Sequence, residues 1–138
     1  MPDSYLLDTT ILTALAQGDT TARIHLSSLD AADTVATCFI VVGEWEYGVL
    51  NVPDKKRRAQ IRKTGTTIFA ALTIWESTPD IALRYGAIHA ELRAAGKIIP
   101  TNDIWIAATA LVQGATVVTT DPHFQRIAGL RVVDWTQP

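Results

Sequence analysis

Three carboxylates stand where an apolar segment stops or a helix starts, and a fourth lies on a helix face. Asp8 closes the apolar run of SYLLDTTIL, and Asp121 closes that of ATVVTTD. Asp103 falls in the first turn of TNDIWIAATALV, and Glu44 lies in VVGEWEYGVL, four residues before Gly48. Gathered in one crevice, four such groups repel one another and lose solvation. A hard divalent cation relieves both costs. Carboxylate oxygens suit Mg²⁺, with Mn²⁺ as the other candidate, and such ions keep waters and engage substrate phosphate. The chemistry implied is metal-assisted phosphodiester hydrolysis. Each acid also has a local explanation. Asp8 and Asp121 can cap the helices that follow them, Asp103 favours the helix dipole, and Glu44, like Glu46, fits a solvated face.

Only particular elements bring such residues together. Tyr5–Leu7 reads as a buried strand, followed by a helix over 10–16 that Gly18 stops. Thr20 or Thr21 is positioned to cap a helix reaching Leu29. Thr34–Thr37 is a β-branched strand, and 40–50 is too long an apolar run for one strand. Pro53-Asp54 opens a basic helix that Gly65 interrupts or ends. Thr73–Trp75 is a weak strand, Pro79 opens a helix over 80–95, and Thr101 or Asn102 caps a helix to Val112. Thr116–Thr120 is a strand, Asp121-Pro122 opens a short helix, and Leu130–Val133 is a last strand. Alternating strands and helices predict an α/β fold: a largely parallel central sheet of about four to five strands flanked by helices, in one domain over residues 1–138. Ligands of such sheets bind beyond the C-terminal strand ends, where Asp8 and Asp121 stand. The alanines of IAATA let their helix approach the sheet, holding Asp103 at the rim. Gly48 suggests a close backbone approach that turns the Glu44 face inward.

Bulk properties narrow the class. The 138 residues are 48% hydrophobic and 19% charged, which suits a globular core. A single cysteine, Cys38, excludes an intrachain disulfide and a cysteine-based zinc site, and its apolar setting reads as packing. No run approaches the roughly 18 apolar residues of a membrane span, and MPDSYLL lacks the pattern of a signal peptide, so a cytoplasmic location is expected. Net charge is −2, yet six of the twelve Lys and Arg lie in KKRRAQIRK, residues 55–63. That run fits contact with a polyanion or a solvated helix face. Trp45, Trp75, Trp105 and Trp135 are scattered through apolar segments, as core or dimer-surface residues would be.

Taken in order, YLLDTTIL, GEWEYGV, IPTNDIWIAATAL and VVTTDPHF with IAGLRVVDW resemble the PIN-domain ribonucleases, specifically the VapC-type toxins of toxin–antitoxin pairs. The resemblance covers about residues 5–135. It implies a Mg²⁺-dependent endoribonuclease whose catalytic and metal-binding acids are Asp8, Glu44, Asp103 and Asp121. It sets Thr10 where Asn is frequent in the family, and Thr120 at the hydroxyl position before the last acid, both supporting the metal-binding acids. It further implies an RNA substrate, a cognate antitoxin and a homodimer. Lys55, Lys56, Arg57, Arg58 and His123 are then candidate RNA contacts. His25 and His89 pair with no partner at catalytic spacing and read as surface residues. Two other classes compete: a phosphohydrolase or phosphotransferase with Asp8 as nucleophile, and a non-catalytic acidic binding module. The former's motif carries a second Asp two residues after the first, where this chain has Thr10.

Overall fold

The computed structural model describes residues 1–138. Five strands, β1 (Ser4–Leu7), β2 (Thr34–Cys38), β3 (Thr73–Trp75), β4 (Thr116–Val118) and β5 (Val132–Val133), form one sheet in the order β3-β2-β1-β4-β5. Every pairing is parallel. Parallel neighbours require crossovers, and the helices supply them. The helices α1 (Thr9–Ala16) and α2 (Thr20–Ser27) join β1 to β2. The pair α3 (Phe39–Leu50) and α4 (Lys55–Ala70) joins β2 to β3. The pair α5 (Pro79–Ala94) and α6 (Thr101–Gln113) joins β3 to β4. A 3₁₀ helix, Pro122–Arg126, lies between β4 and β5.

The sheet centre is the most apolar part. Leu6, Leu7, Val117 and Val118 are fully buried, and one continuous cluster links them to Ile11 and Leu12 of α1 and to Ile104 and Ile106 of α6. In α6, Ala107, Ala108 and Ala110 are also fully buried. Small side chains on successive faces let this helix sit against α5, β1 and β4 at once. It ends at Gly114, whose φ of 66° lies in the left-handed region that glycine enters without a Cβ clash. The expected α/β architecture is thus present, with five strands.

Several boundaries and caps differ from expectation. The side chain of Asp19, not Thr20 or Thr21, caps α2 by accepting from the Ala22 N–H. Both threonines already lie inside the helix. For the same reason neither Thr101 nor Asn102 caps α6, whose N-cap is Pro100. The strand β4 stops at Val118 because Thr119 and Thr120 turn toward side-chain partners. Gly65 does not break α4, which runs through it from Lys55 to Ala70. Its missing side chain admits the Trp45 indole, which would collide with a Cβ there. Gly48 was expected to mark such an approach, but nothing lies near its Cβ direction. The close packing of α3 on α4 is thus made by Trp45 over Gly65, one position after Glu44.

Candidate active site

The strands β1 and β4 are neighbours, with Leu7 opposite Val118. Asp8 and Thr119 therefore leave the sheet side by side at its C-terminal edge. The chain turns from β1 toward β2 on one side and from β4 toward β5 on the other. In parallel sheets such a reversal is where ligands bind, beyond the two strand ends.

Asp8 is only 4% exposed. Its Oδ1 accepts from the Thr10 hydroxyl at 2.6 Å and from the Ile11 N–H at 3.2 Å, and its Oδ2 accepts from the Thr119 hydroxyl at 2.5 Å. The Ile11 bond caps α1, so capping and a place in the crevice coexist. Burial pushes the Asp8 carboxyl from 3.8 up to about 6, against the pull of these donors. The two threonines extend the network. The Thr10 hydroxyl accepts from the Thr120 N–H at 3.0 Å, and the Thr119 hydroxyl accepts from the Asp121 N–H at 2.9 Å. Asp8 is thereby tied to the segment that carries Asp121.

Asp121 caps the 3₁₀ helix, its Oδ1 accepting from the His123 N–H at 2.9 Å. The His123 ring then comes back over the acids. Its Nδ1 is 3.1 Å from Asp121 Oδ1 and 3.3 Å from Asp103 Oδ2. Asp103, 9% exposed, projects from the first turn of α6. Desolvation foremost, then the Asp121 charge, raises its carboxyl above the ordinary range; His123 acts the other way and Glu44 adds to the rise. Donor atoms of Asp103, Asp121 and His123 all lie within 4.8 Å of one another.

Glu44 is held nearby but outside that trio. Its Oε1 accepts from the Thr9 hydroxyl at 2.8 Å and its Oε2 from the Asn102 amide at 3.4 Å. It also lines a cavity of about 300 Å³ with Thr13, Trp45, Gly48, Arg57 and Thr64. Glu46, by contrast, accepts two bonds from Arg62, at 2.7 and 2.9 Å, on the surface.

Three functional contacts escaped the sequence reading. The hydroxyl beneath Asp121 belongs to Thr119, not Thr120, whose side chain is exposed and which contributes only its N–H. Thr9 and Asn102 orient Glu44. The register of β4 beside β1 decides between Thr119 and Thr120, and no local pattern in TTD carries it. Of the candidate RNA contacts, Lys55, Lys56 and Arg57 are exposed, and Arg57 faces the cavity of Glu44. Arg58 instead donates from Nε and Nη2 to the Val52 carbonyl at 2.9 and 2.7 Å, bracing the turn before α4. His25 Nε2 pairs with the Gln137 carbonyl at 2.8 Å and its ring stacks on Trp135, while His89 lies against Tyr85. Neither is paired with an acid.

The donor set fits a hard divalent cation. Neither Lys nor Arg forms an ion pair with Asp8, Glu44, Asp103 or Asp121, and His123 is the one basic side chain paired to any of them. Burial raises the Asp8 and Asp103 carboxyls, and the Asp121 and Glu44 charges add to the rise at Asp103, which bound positive charge would relieve. Asp8, with both oxygens occupied and almost no exposure, is poorly placed to attack phosphorus, which weighs against the phosphohydrolase alternative.

Known proteins share this architecture. The PIN-domain family model matches residues 5–130. The chain is 31% identical over 134 residues to ribonuclease VapC2 of Rickettsia felis, covering 95% of this chain and 97% of that protein. It superposes on the solved structure of VapBC2 from Rickettsia felis bound to a DNA fragment from their promoter. The TM-score is 0.88 and the identity 29%, with 96% of this chain and 98% of that one covered. VapBC-1 from nontypeable Haemophilus influenzae gives a TM-score of 0.85 at 29% identity, covering 97% and 99%. With its strand-end acids and parallel sheet, the chain belongs to the PIN-domain family, among the VapC-type proteins.

Proposed function

We propose that this chain is a divalent-metal-dependent endoribonuclease acting as the toxin of a type II toxin–antitoxin pair, folded as a single PIN domain over residues 1–138. The observation that carries the reading is the convergence of Asp103 and Asp121 beside buried Asp8 at the paired ends of β1 and β4. Asp103 and Asp121 would hold Mg²⁺, or Mn²⁺, with Asp8 and Glu44 completing the acidic wall. When bound, the cation supplies charge neutralisation at the phosphate and a water made acidic enough to attack at neutral pH. Asp8 orients the wall, because Thr119 bonds it to the same segment that carries Asp121. Thr9 and Asn102 fix Glu44, so its carboxylate cannot swing away from Asp103 without breaking two contacts. Lys55, Lys56 and Arg57 lie on the exposed start of α4, where they would meet RNA phosphates approaching past Arg57.

A cognate antitoxin is the expected partner, supported by relatives solved as VapBC complexes. Exposed Tyr47, Leu83 and Ile98 supply apolar surface for a homodimer or for that partner. The cytoplasm is the proposed location, and no helix is long and apolar enough to cross a membrane.

The test is end-mapping of total RNA treated with purified protein free of any antitoxin. Discrete new ends are expected with Mg²⁺ or Mn²⁺, none with EDTA, and none from Asp103→Asn. Full cleavage in EDTA would replace this reading with a 2′-hydroxyl mechanism.

A further inference from the structure

Beyond the four acids, one nitrogen donor enters the site. His123 Nδ1 faces oxygens of two carboxylates from different elements, at 3.1 Å from Asp121 and 3.3 Å from Asp103. One ring nitrogen carries at most one proton, so hydrogen bonding serves both oxygens only through a shared three-centre bond. Asp121 Oδ1 already has a donor, the His123 N–H at 2.9 Å. A hydrogen bond shared between the two carboxylates is one way to hold this arrangement. A cation is another: octahedral bonds of about 2.1 Å place neighbouring donor atoms about 3.0 Å apart, close to the two distances from His123 Nδ1. The segment that carries the ring is also held in place. Phe124, the next residue, is fully buried and anchors the 3₁₀ helix beneath it.

We infer that His123 Nδ1 is a direct ligand of the cation beside Asp103 and Asp121, and that it biases the site toward Mn²⁺ over Mg²⁺. Mg²⁺ prefers oxygen donors, whereas first-row transition ions accept imidazole readily. The inference rests on the metal-site reading above and adds the ligand that sets metal preference.

Pulsed electron paramagnetic resonance of the Mn²⁺-loaded protein reads the ligand directly. Wild-type protein is expected to show nitrogen coupling that changes on labelling histidine with ¹⁵N, and His123→Ala to lose it. Calorimetric titration should show Mn²⁺ affinity falling about tenfold in His123→Ala, with a smaller fall for Mg²⁺. Mn²⁺ bound without histidine coupling in the wild-type protein overturns the inference and leaves the nuclease reading standing. Equal losses for the two metals overturn the claimed preference. Absence of Mn²⁺ binding sinks both readings. Coupling without RNA cleavage supports the ligand and sinks the nuclease.

Discussion

Thr119 and Thr120 are adjacent, chemically identical and unequal. Thr119 donates to a buried carboxylate oxygen and accepts from the Asp121 N–H, while the Thr120 side chain faces solvent. Thr119→Val keeps the shape and removes both bonds, leaving Asp8 Oδ2 and the Asp121 N–H short of partners. A cost of about 1–3 kcal/mol is expected, with RNA cleavage lost. Thr120→Val should stay within about 0.5 kcal/mol of wild type. Urea unfolding of the two variants checks this, and equal effects would return the supporting role to Thr120. Asp8, Asp103 and Asp121 are legible as strand-end and helix-start residues, and Glu44 by its spacing from Gly48. Their hydroxyl and amide partners, Thr119, Thr9 and Asn102, are not, because each bond spans at least 35 residues of sequence.

At the level of elements, two features hold the site and one reverses a general rule. Glycine inside a helix normally costs about 1 kcal/mol against alanine, so Gly65→Ala would be expected to stabilise α4. Here the new Cβ meets the Trp45 indole. Gly65→Ala should instead destabilise by about 1–3 kcal/mol. Combining it with Trp45→Leu should recover part of that loss, as measured by a double-mutant cycle. Because Trp45 follows Glu44 and lines the same cavity, RNA cleavage should fall in the single variant. The second feature is Phe124, fully buried under the turn that carries Asp121 and His123. Phe124→Ala should cost about 3–5 kcal/mol in thermal or urea unfolding. The Asp-containing starts at Pro53-Asp54 and Asp121-Pro122 locate α4 and the 3₁₀ helix, but Gly65 reads as a break, since a helix-breaking residue and a packing notch look alike in sequence.

For the whole molecule, the buried acids govern stability against pH. The Asp8 carboxyl titrates near 6 when folded, against 3.8 as an ordinary carboxyl. The folded state therefore binds this proton more readily than the unfolded chain, and protonation favours folding. Metal-free protein should gain stability as pH falls from about 7 toward 4, by up to about 3 kcal/mol for Asp8. Asp103, also raised, adds to the same slope. Urea unfolding in EDTA at pH 5, 6 and 7.5 measures it, and stability that falls steadily with acidification would contradict it. Asp8→Asn should flatten most of the slope and melt higher than wild type at pH 7.5, because Thr119 can turn its hydroxyl to accept from the new amide. Excess Mg²⁺ or Mn²⁺ should raise the melting temperature of wild type at neutral pH.

Sequence alone determined the alternating α/β pattern and the family resemblance. It also located three acids where strands end or a helix begins, and a fourth, Glu44, inside a helix. These are local properties, written in hydrophobic period, turn residues and spacing. The tertiary structure alone decided which threonine supports Asp8, which glycine admits a tryptophan, and that Arg58 braces a turn. It also brought the His123 ring between Asp103 and Asp121. Apart from the Arg58 bond, which spans six residues, these depend on register between parallel strands or on contact between separate elements. Hydrophobic pattern specifies that such surfaces pack, while the side chains that meet are settled only when the whole core closes.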